Sequence, residues 1–221
     1  MVALAVILFA ITLLTIDLVI QARQKKYPLM SPALRSADKA DVVRMPKSVF
    51  FHPAHTWARM EGADSVTVGL DDFIQKAVGA IDRVYLPMIG QKVRQGDPVI
   101  TVHHGDRKLS LVAPVSGRVF ALNNDVLDNP ALISSNPYEE GWLFRVEPDQ
   151  LATSLSLLSI AENAVAWIRA EAMRFREFLA SQTVEHATLG ITMLDGGVPV
   201  AGALEHLDDG GLRQFEHDFL R

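Results

Sequence analysis

The stretch His103-His-Gly-Asp-Arg-Lys-Leu-Ser-Leu-Val-Ala-Pro-Val-Ser-Gly117 decides how the central part of this chain folds. Its apolar run from Leu109 to Val112 ends at a Pro-Val-Ser-Gly turn, which is typical of a short β-strand. The residues in front of that run are histidines, a glycine and charged residues, which predict a polar turn at the tip of a hairpin. We expect residues 47–150 to form one compact β domain around this tip.

The segments on either side of the tip predict short strands and one short helix. The helix is expected from Asp71 to Val78, because acidic residues favour a helix N-terminus and the apolar residues that follow fall on one face. The strands are expected at Ser65–Gly69, Ile81–Leu86, Pro98–Val102, Leu109–Val112 and Arg118–Leu122. Strands of this length and spacing predict a small antiparallel sandwich or flattened barrel.

Several separated motifs of this domain resemble one known family. They are His55-Thr-Trp57, Val66-Thr-Val-Gly-Leu70, Tyr85-Leu-Pro87, Gly96-Asp97, Ala113-Pro-Val-Ser-Gly117, Asn123-Asn-Asp-Val-Leu-Asp-Asn-Pro130, Ser135-Asn-Pro-Tyr138 and Gly141-Trp-Leu143. In this order they resemble the H protein of the glycine cleavage system, a lipoyl-carrying shuttle. The resemblance implies a mainly β, lipoyl-like flattened barrel or β sandwich, and it ends near Pro148.

The chain departs from this family at the position that would carry the lipoyl group. The family presents a Glu-Ser-x-Lys-Ala segment, with the modified lysine eight residues before the proline of the Pro-Val-Ser-Gly turn. Counting back from Pro114 gives Asp106, and Lys108 lies two positions further along the hairpin. Because two positions on a tight turn change reach and direction, we expect no lipoyl cofactor. Acylation of Lys108 is the alternative.

The charged tip is the candidate interaction site of the chain. Its residues are His103, His104, Asp106, Arg107 and Lys108. Histidine and carboxylate ligands suit zinc and similar ions, so a metal site at the two histidines and the aspartate is a weaker alternative. Adjacent residues on a strand point to opposite faces, which leaves too few ligands on one side, so we expect no metal. A polar turn that faces solvent or a partner protein is favoured.

The N-terminal residues predict a membrane anchor. Residues 2–20 are apolar apart from two threonines and Asp17, and a helix of about 20 such residues spans a bilayer. A cleaved signal peptide is the alternative, but no Lys or Arg precedes the run and no small-x-small cleavage site follows it. We expect a transmembrane helix in residues 1–22, with residues 2–20 in contact with the lipid bilayer.

The residues after this anchor predict its orientation. Arg23, Lys25 and Lys26 follow the apolar run directly, and basic flanks stay on the cytoplasmic side. Residues 23–46 contain three prolines without clean periodicity, which indicates a linker. We therefore expect a single-pass protein of the inner (cytoplasmic) membrane, with its soluble domain on the cytoplasmic side.

Residues 151–221 predict a C-terminal extension that begins with helical sequence. Leu151–Gln182 lacks Pro and Gly, and its apolar residues recur every three or four positions, which predicts one amphipathic helix or two with a bend. The apolar residues are Leu158, Ala161, Val165, Ile168, Ala172, Phe175 and Leu179. Packing of this stripe on the β domain and docking of a partner are both open.

The end of the extension predicts a hairpin and a short helix. Leu189–Gly202 contains Asp195-Gly-Gly197, a good hairpin turn, and Leu212–Leu220 is expected to be helical. Gly196-Gly197 and Gly210-Gly211 are interpreted as turns. His186, His206 and His217 are interpreted as surface residues, and His55, at the edge of the β domain, is expected to make a structural hydrogen bond.

Composition and motifs exclude several classes of function. The formal charge of -5 gives no broad basic face for nucleic acid, and the absence of cysteine excludes disulfides and thiolate chemistry. No nucleophile elbow, phosphate loop or dinucleotide fingerprint is present, so we expect no enzyme. The sequence predicts an α+β chain that acts as a non-catalytic, membrane-anchored scaffold or accessory subunit. Its host would be a larger membrane protein complex, of the respiratory or redox kind.

Overall fold

The computed structural model describes residues 45–62, 64–185 and 202–221, and its strands form two sheets. In chain order the strands are β1 (Phe50–Phe51), β2 (Thr56–Met60), β3 (Val66–Leu70), β4 (Arg83–Tyr85), β5 (Lys92–Val93), β6 (Pro98–His104), β7 (Arg107–Val112), β8 (Gly117–Leu122), β9 (Phe144–Pro148) and β10 (Ser159–Ile160). The larger sheet has the order β10-β1-β2-β3-β9-β8-β5, and the smaller sheet has the order β4-β6-β7. All of these strands pair antiparallel, as the sequence predicted.

The helices lie between the strands and after them. They are α1 (Asp72–Val78), α2 (Asn124–Asp128), α3 (Ala131–Ser135), α4 (Leu151–Leu155), α5 (Ala161–Glu185), a 3-10 helix η1 (Ala203–His206) and α6 (Asp209–Phe219). Helix α1 is confirmed with its cap, since the Asp71 carboxylate accepts the Ile74 backbone N–H at 2.9 Å. Such a cap satisfies one of the backbone donors that a helix N-terminus leaves free.

The predicted turn at Gly210-Gly211 is wrong. Both glycines lie in the first turn of α6, which begins at Asp209, ahead of the predicted start at Leu212. The reason is a cap that was overlooked: the Asp208 carboxylate accepts the Gly211 backbone N–H at 2.7 Å. An aspartate cap offsets the low helix propensity of the two glycines.

The apolar core fills the space between the sheets and α1. It contains Val68, Leu70, Phe73, Ile100, Leu111, Val119, Phe144 and Val146, all of them buried. The backbone of β8 approaches that of β9 closely at Gly117, where an added Cβ would lie 2.2 Å from the Glu147 carbonyl oxygen. The glycine of the Pro-Val-Ser-Gly turn is therefore required by close strand packing.

The C-terminal extension packs on the β domain of its own chain. Its helical part is divided into two helices, which agrees with the second of the two predicted alternatives. Helix α4 ends at Leu155, and the two-residue strand β10 pairs with β1 before α5 begins. The face of α5 in contact with the domain contains Ala164, Ile168, Glu171, Phe175 and Phe178, all buried. The apolar stripe is thus used within the chain, and its centre is shifted relative to the predicted stripe.

Three predicted segments lie outside the described residues. These are the transmembrane helix of residues 1–22, the linker of residues 23–46 apart from residues 45 and 46, and the hairpin at 189–202 apart from Gly202. In the part of the chain that is described, no helix is both long and apolar enough to cross a bilayer.

Candidate interaction site at the hairpin tip

The predicted tip is the turn between β6 and β7. His103 pairs with Lys108 and His104 pairs with Arg107, which leaves Gly105 and Asp106 as a two-residue loop. Gly105 has a φ of 58°, a conformation that glycine adopts without steric cost. Asp106 is exposed at the apex of the turn, whereas the exposed Lys108 belongs to strand β7.

Strand alternation divides the tip residues between two faces of the small sheet. The inner face carries His104 and Arg107, and it is in contact with residues 202–221, which we call the C-terminal segment. His104 Nδ1 donates to the Ala80 carbonyl, and its Nε2 lies 3.3 Å from Glu205 Oε1. The Arg107 guanidinium donates to the backbone carbonyls of Leu204 and Leu207. The inner face is therefore closed by the chain itself.

Further contacts hold the C-terminal segment and the turn in place. Gly202 donates its N–H to the Lys76 carbonyl of α1 at 2.8 Å. The backbone N–H of Ser110 donates to the Glu216 carboxylate of α6 at 3.2 Å. The turn is fixed separately, because the Gly105 N–H donates to the Asp82 carboxylate at 2.6 Å.

Little space remains between the inner face and the C-terminal segment. The cavity there has a volume of about 10 Å³ and is lined by Val78, Val102, His104, Arg107, Leu109, Leu204, Glu205 and Leu212. A cavity of this size holds about one water molecule. The inner face and the C-terminal segment are therefore in close contact.

The outer face of the small sheet carries the other two tip residues. His103 lies between Arg83 on β4 and Lys108 on β7, its register partners on either side. The Tyr85 ring packs edge-on against the His103 imidazole, with 5.2 Å between the ring centroids. Arg83 and Lys108 are permanent cations, and we call the line of Arg83, His103 and Lys108 the cationic row.

The structure does not bring together the two histidines that were considered as metal ligands. His103 and His104 point to opposite faces, and both ring nitrogens of His104 already contact Ala80 and Glu205. Within residues 45–62, 64–185 and 202–221, no three His, Asp or Glu side chains are grouped so that they could hold a metal ion.

A second polar cluster, centred on His55, escaped the sequence analysis. His55 was placed at a domain edge, yet its side chain is fully buried. The predicted hydrogen bond is present, because Nδ1 donates to the Asp71 carboxylate at 2.8 Å. The Glu171 carboxylate of α5 lies 3.7 Å from Nε2, a charge contact too long for a hydrogen bond. The Arg174 guanidinium donates to the same Glu171 carboxylate at 2.8 Å.

Burial and charge act in opposite directions on this cluster. Burial alone would lower the pKa of His55, but the Asp71 and Glu171 carboxylates outweigh it and raise that pKa to about 9. Burial, together with the charge of His55, lowers the pKa of His52 to about 4. At neutral pH His55 is therefore an imidazolium between two carboxylates. It joins the β domain to α5 by charge, and it stacks on Phe73 at 4.4 Å.

The fold and the tip define a small antiparallel β domain of two sheets that presents the exposed turn between β6 and β7. A sequence profile of the family described as "Glycine cleavage H-protein" matches residues 49–171, more than half of the chain. The chain belongs to the glycine cleavage H-protein family. The matched region continues past residue 150, where the sequence analysis ended the domain, and into α5.

Sequence relatives from two bacteria agree with this membership, and one solved structure is also similar. The glycine cleavage system H protein of Psychrobacter sp. (strain PRwf-1) is 37% identical over 118 residues, covering 53% of this chain and 94% of the relative. The H protein of Rubrobacter xylanophilus is 36% identical over 115 residues, covering 50% and 90%. The crystal structure of an H protein from Mycobacterium marinum matches at 27% identity with a TM-score of 0.46, covering 56% of this chain and 95% of that one.

Proposed function

We propose that this protein is a non-catalytic, membrane-anchored accessory subunit whose H-protein-type domain docks a larger membrane protein complex. The carrying observation is Asp106 at the apex of the β6–β7 turn. A lipoyl group is attached through an amide, which requires the amine of a lysine. The carboxylate of Asp106 cannot form that bond.

The contacts on the inner face support the same proposal. A carrier group has to leave the surface of its domain and reach separate active sites. Here Arg107 and His104 hold the C-terminal segment against the hairpin, and about 10 Å³ remains between them. The hairpin is therefore held on its inner face, which leaves its apex and outer face as the surfaces that a partner protein can contact.

The membrane part of the proposal rests on the sequence. Residues 2–20 have the length and apolar composition of a single span, and the basic flank from Arg23 favours a cytoplasmic body at the inner membrane. An anchored docking subunit would meet its partners in the same membrane. A complex of the respiratory or redox kind is the proposed host.

Acylation of Lys108 is the second candidate function, and one observation favours it. The Lys108 side chain is exposed on β7, two residues from the apex, so an enzyme could reach its amine. In this alternative the protein is a lipoyl or acyl carrier that retains the role of its family.

Intact-mass analysis of the native protein, purified from membranes, separates the two candidates. We expect the mass of the unmodified chain. Asp106→Lys, which returns a lysine to the apex, is the matched control and is expected to gain a lipoyl adduct from lipoate ligase. An adduct on the native protein that disappears in Lys108→Arg would replace the docking proposal with the carrier function.

A native pull-down from detergent-solubilised membranes then tests the docking role. Stoichiometric recovery with integral-membrane oxidoreductase subunits is the expected result. Recovery with glycine decarboxylase or a 2-oxoacid dehydrogenase would instead favour the carrier.

A further inference from the structure

We propose that the outer face of the small sheet binds an acidic, partly apolar segment of the partner protein, through the cationic row of Arg83, His103 and Lys108. This inference rests on the proposed docking function and names the surface and the chemistry of its partner. The inner face of the hairpin is already occupied by the C-terminal segment. The outer face is therefore the side of the tip that a partner can reach.

The register of the three strands brings the cationic row together. Arg83 lies opposite His103, and His103 lies opposite Lys108, so the three side chains project from one face. Adjacent strands are about 4.8 Å apart, and the row therefore spans about 10 Å. Carboxylates on one short extended segment cover such a distance.

The two permanent cations of the row have no ion-pair partner among the described residues. Lys76, in contrast, contacts Asp72 at 3.3 Å, and Arg174 contacts Glu171 at 2.8 Å. Arg83 and Lys108 lie on either side of His103 and do not face each other directly. Carboxylates supplied by a partner protein can pair with both of them.

Two carboxylates near the tip already accept backbone hydrogen bonds. Asp82, which precedes Arg83, accepts the Gly105 N–H at 2.6 Å. Glu216 accepts the N–H of Ser110 at 3.2 Å. Asp106 lies at the apex of the turn, further along the strands than the row. The positive charge of the row is thus available to a partner.

One exposed apolar side chain borders the cationic row. Tyr85 is 53% exposed and packs against His103. Large apolar side chains next to charge complementarity are typical of interfaces between proteins. The partner segment should therefore combine acidic residues with at least one bulky apolar residue.

A protein segment fits this face better than an anionic membrane surface. Electrostatic binding to lipid headgroups uses clusters of about four to eight Lys and Arg side chains, more than the row provides. Two cations beside one exposed aromatic ring suit a short acidic segment that also carries an apolar side chain.

Fluorescence anisotropy of the full chain in detergent tests the proposal with a defined probe. The probe is a fluorescein-labelled Glu-Glu-Leu-Glu-Glu-Leu-Glu peptide, and the test variant is Arg83→Glu/Lys108→Glu. The matched control is Arg94→Glu/Arg213→Glu, at two exposed arginines outside the row. Each double variant replaces two positive charges by two negative ones, which takes the formal charge from -5 to -9. Thermal unfolding by circular dichroism verifies that both variants are folded.

We expect saturable binding to the wild-type protein, at least about tenfold weaker binding to the row variant, and less than twofold change in the control. Absence of saturable binding, or equal weakening in both variants, would overturn the proposal. So would row-dependent binding of phosphatidylglycerol vesicles that exceeds binding of the peptide, since that identifies a lipid surface.

The same variants separate this inference from the proposed function. If the row variant recovers the same membrane subunits as the wild type in the pull-down, the surface assignment fails while the docking role stands. If the native protein carries a lipoyl adduct on Lys108, the docking role itself fails, whatever the peptide binds.

Discussion

His104 Nε2 lies 3.3 Å from Glu205 Oε1, and this pair joins the tip of the hairpin to the C-terminal segment. Its neighbour Arg107 donates to two backbone carbonyls of the same segment. These residues are about a hundred positions apart in sequence. The tip is therefore a composite of the β domain and the C-terminal segment, and its stability depends on both.

Replacement of Arg107 should loosen the C-terminal segment. Arg107→Ala leaves the carbonyls of Leu204 and Leu207 without their donor, and an unsatisfied half-buried group costs about 1–3 kcal/mol. We expect the free energy of unfolding, measured in urea, to fall by this amount. We also expect faster amide hydrogen exchange in residues 202–221. Lys108→Ala, on the outer face, is the control and should change neither. Unchanged exchange in Arg107→Ala would show that other contacts hold the segment.

The His55 cluster predicts that stability falls at alkaline pH. The pKa of His55 is raised from 6.5 to about 9 on folding, so its stabilisation is complete below pH 6.5 and is lost as pH rises through 9. Burial opposes the shift, and the Asp71 and Glu171 carboxylates produce it, with Arg174 bound to Glu171. The loss should approach about 3 kcal/mol. Urea unfolding at pH 6.5, 8 and 10 measures it.

The variant Glu171→Gln and the titration of His52 provide two further checks on the pH dependence of stability. Glu171→Gln removes one of the two carboxylates and should reduce the alkaline loss while leaving the fold of the β domain intact. His52 acts at the other end of the scale, since its pKa is lowered to about 4 in the fold. Its contribution is lost as pH falls from 6.5 through 4. A wild-type stability that is flat from pH 6.5 to 10 would contradict the charged state assigned to His55.

Helices α5 and α6 pack against each other through an aromatic cluster, so we expect the stability of each to depend on the other. Phe175 is fully buried and contacts Phe73 of α1 at 5.4 Å and Phe215 of α6 at 5.6 Å between ring centroids. Phe175→Ala should lower the free energy of unfolding by about 3–5 kcal/mol, because it removes a large side chain from three elements at once. Met173→Ala, at a position that is 60% exposed, is the control and should change it by less than about 0.5 kcal/mol. Equal effects would contradict this packing.

Strands β3, β4, β6, β7 and β8 and helix α1 were predictable because their signals are local, whereas β1, β2, β5 and β9 were not predicted. The Asp71 cap, the Gly105 turn and the apolar strands each lie within a few residues of the pattern that predicts them. The two faces of the tip also follow from alternation along β6 and β7. Which face would be covered did not follow, because the covering residues Leu204 to Leu207 come from a distant part of the chain.

The polar cluster was missed for a related reason. The helical pattern after residue 150 was interpreted from its apolar residues, and Glu171 was not assigned to the face that packs on the domain. In the structure Glu171 is at the centre of the buried face of α5, opposite His55. A charged residue in that position requires partners of opposite charge. Arg174 is three residues away on the same helix, but His55 is over a hundred residues away. Sequence periodicity carries no information about such a pair.

Gly117 allows a steric test of the Pro-Val-Ser-Gly turn. Its Cβ, if present, would lie 2.2 Å from the Glu147 carbonyl oxygen and 2.8 Å from Pro148 Cα, both of them backbone atoms of β9. Gly117→Ala therefore forces β8 and β9 apart and should lower the free energy of unfolding by about 1–3 kcal/mol. Gly210→Ala is the matched control, because there the nearest atom is the Asp208 carboxylate oxygen at 3.3 Å. In a helix that change should be neutral or stabilising by up to about 1 kcal/mol. Equal stability of both variants in urea would show that the two strands separate without cost.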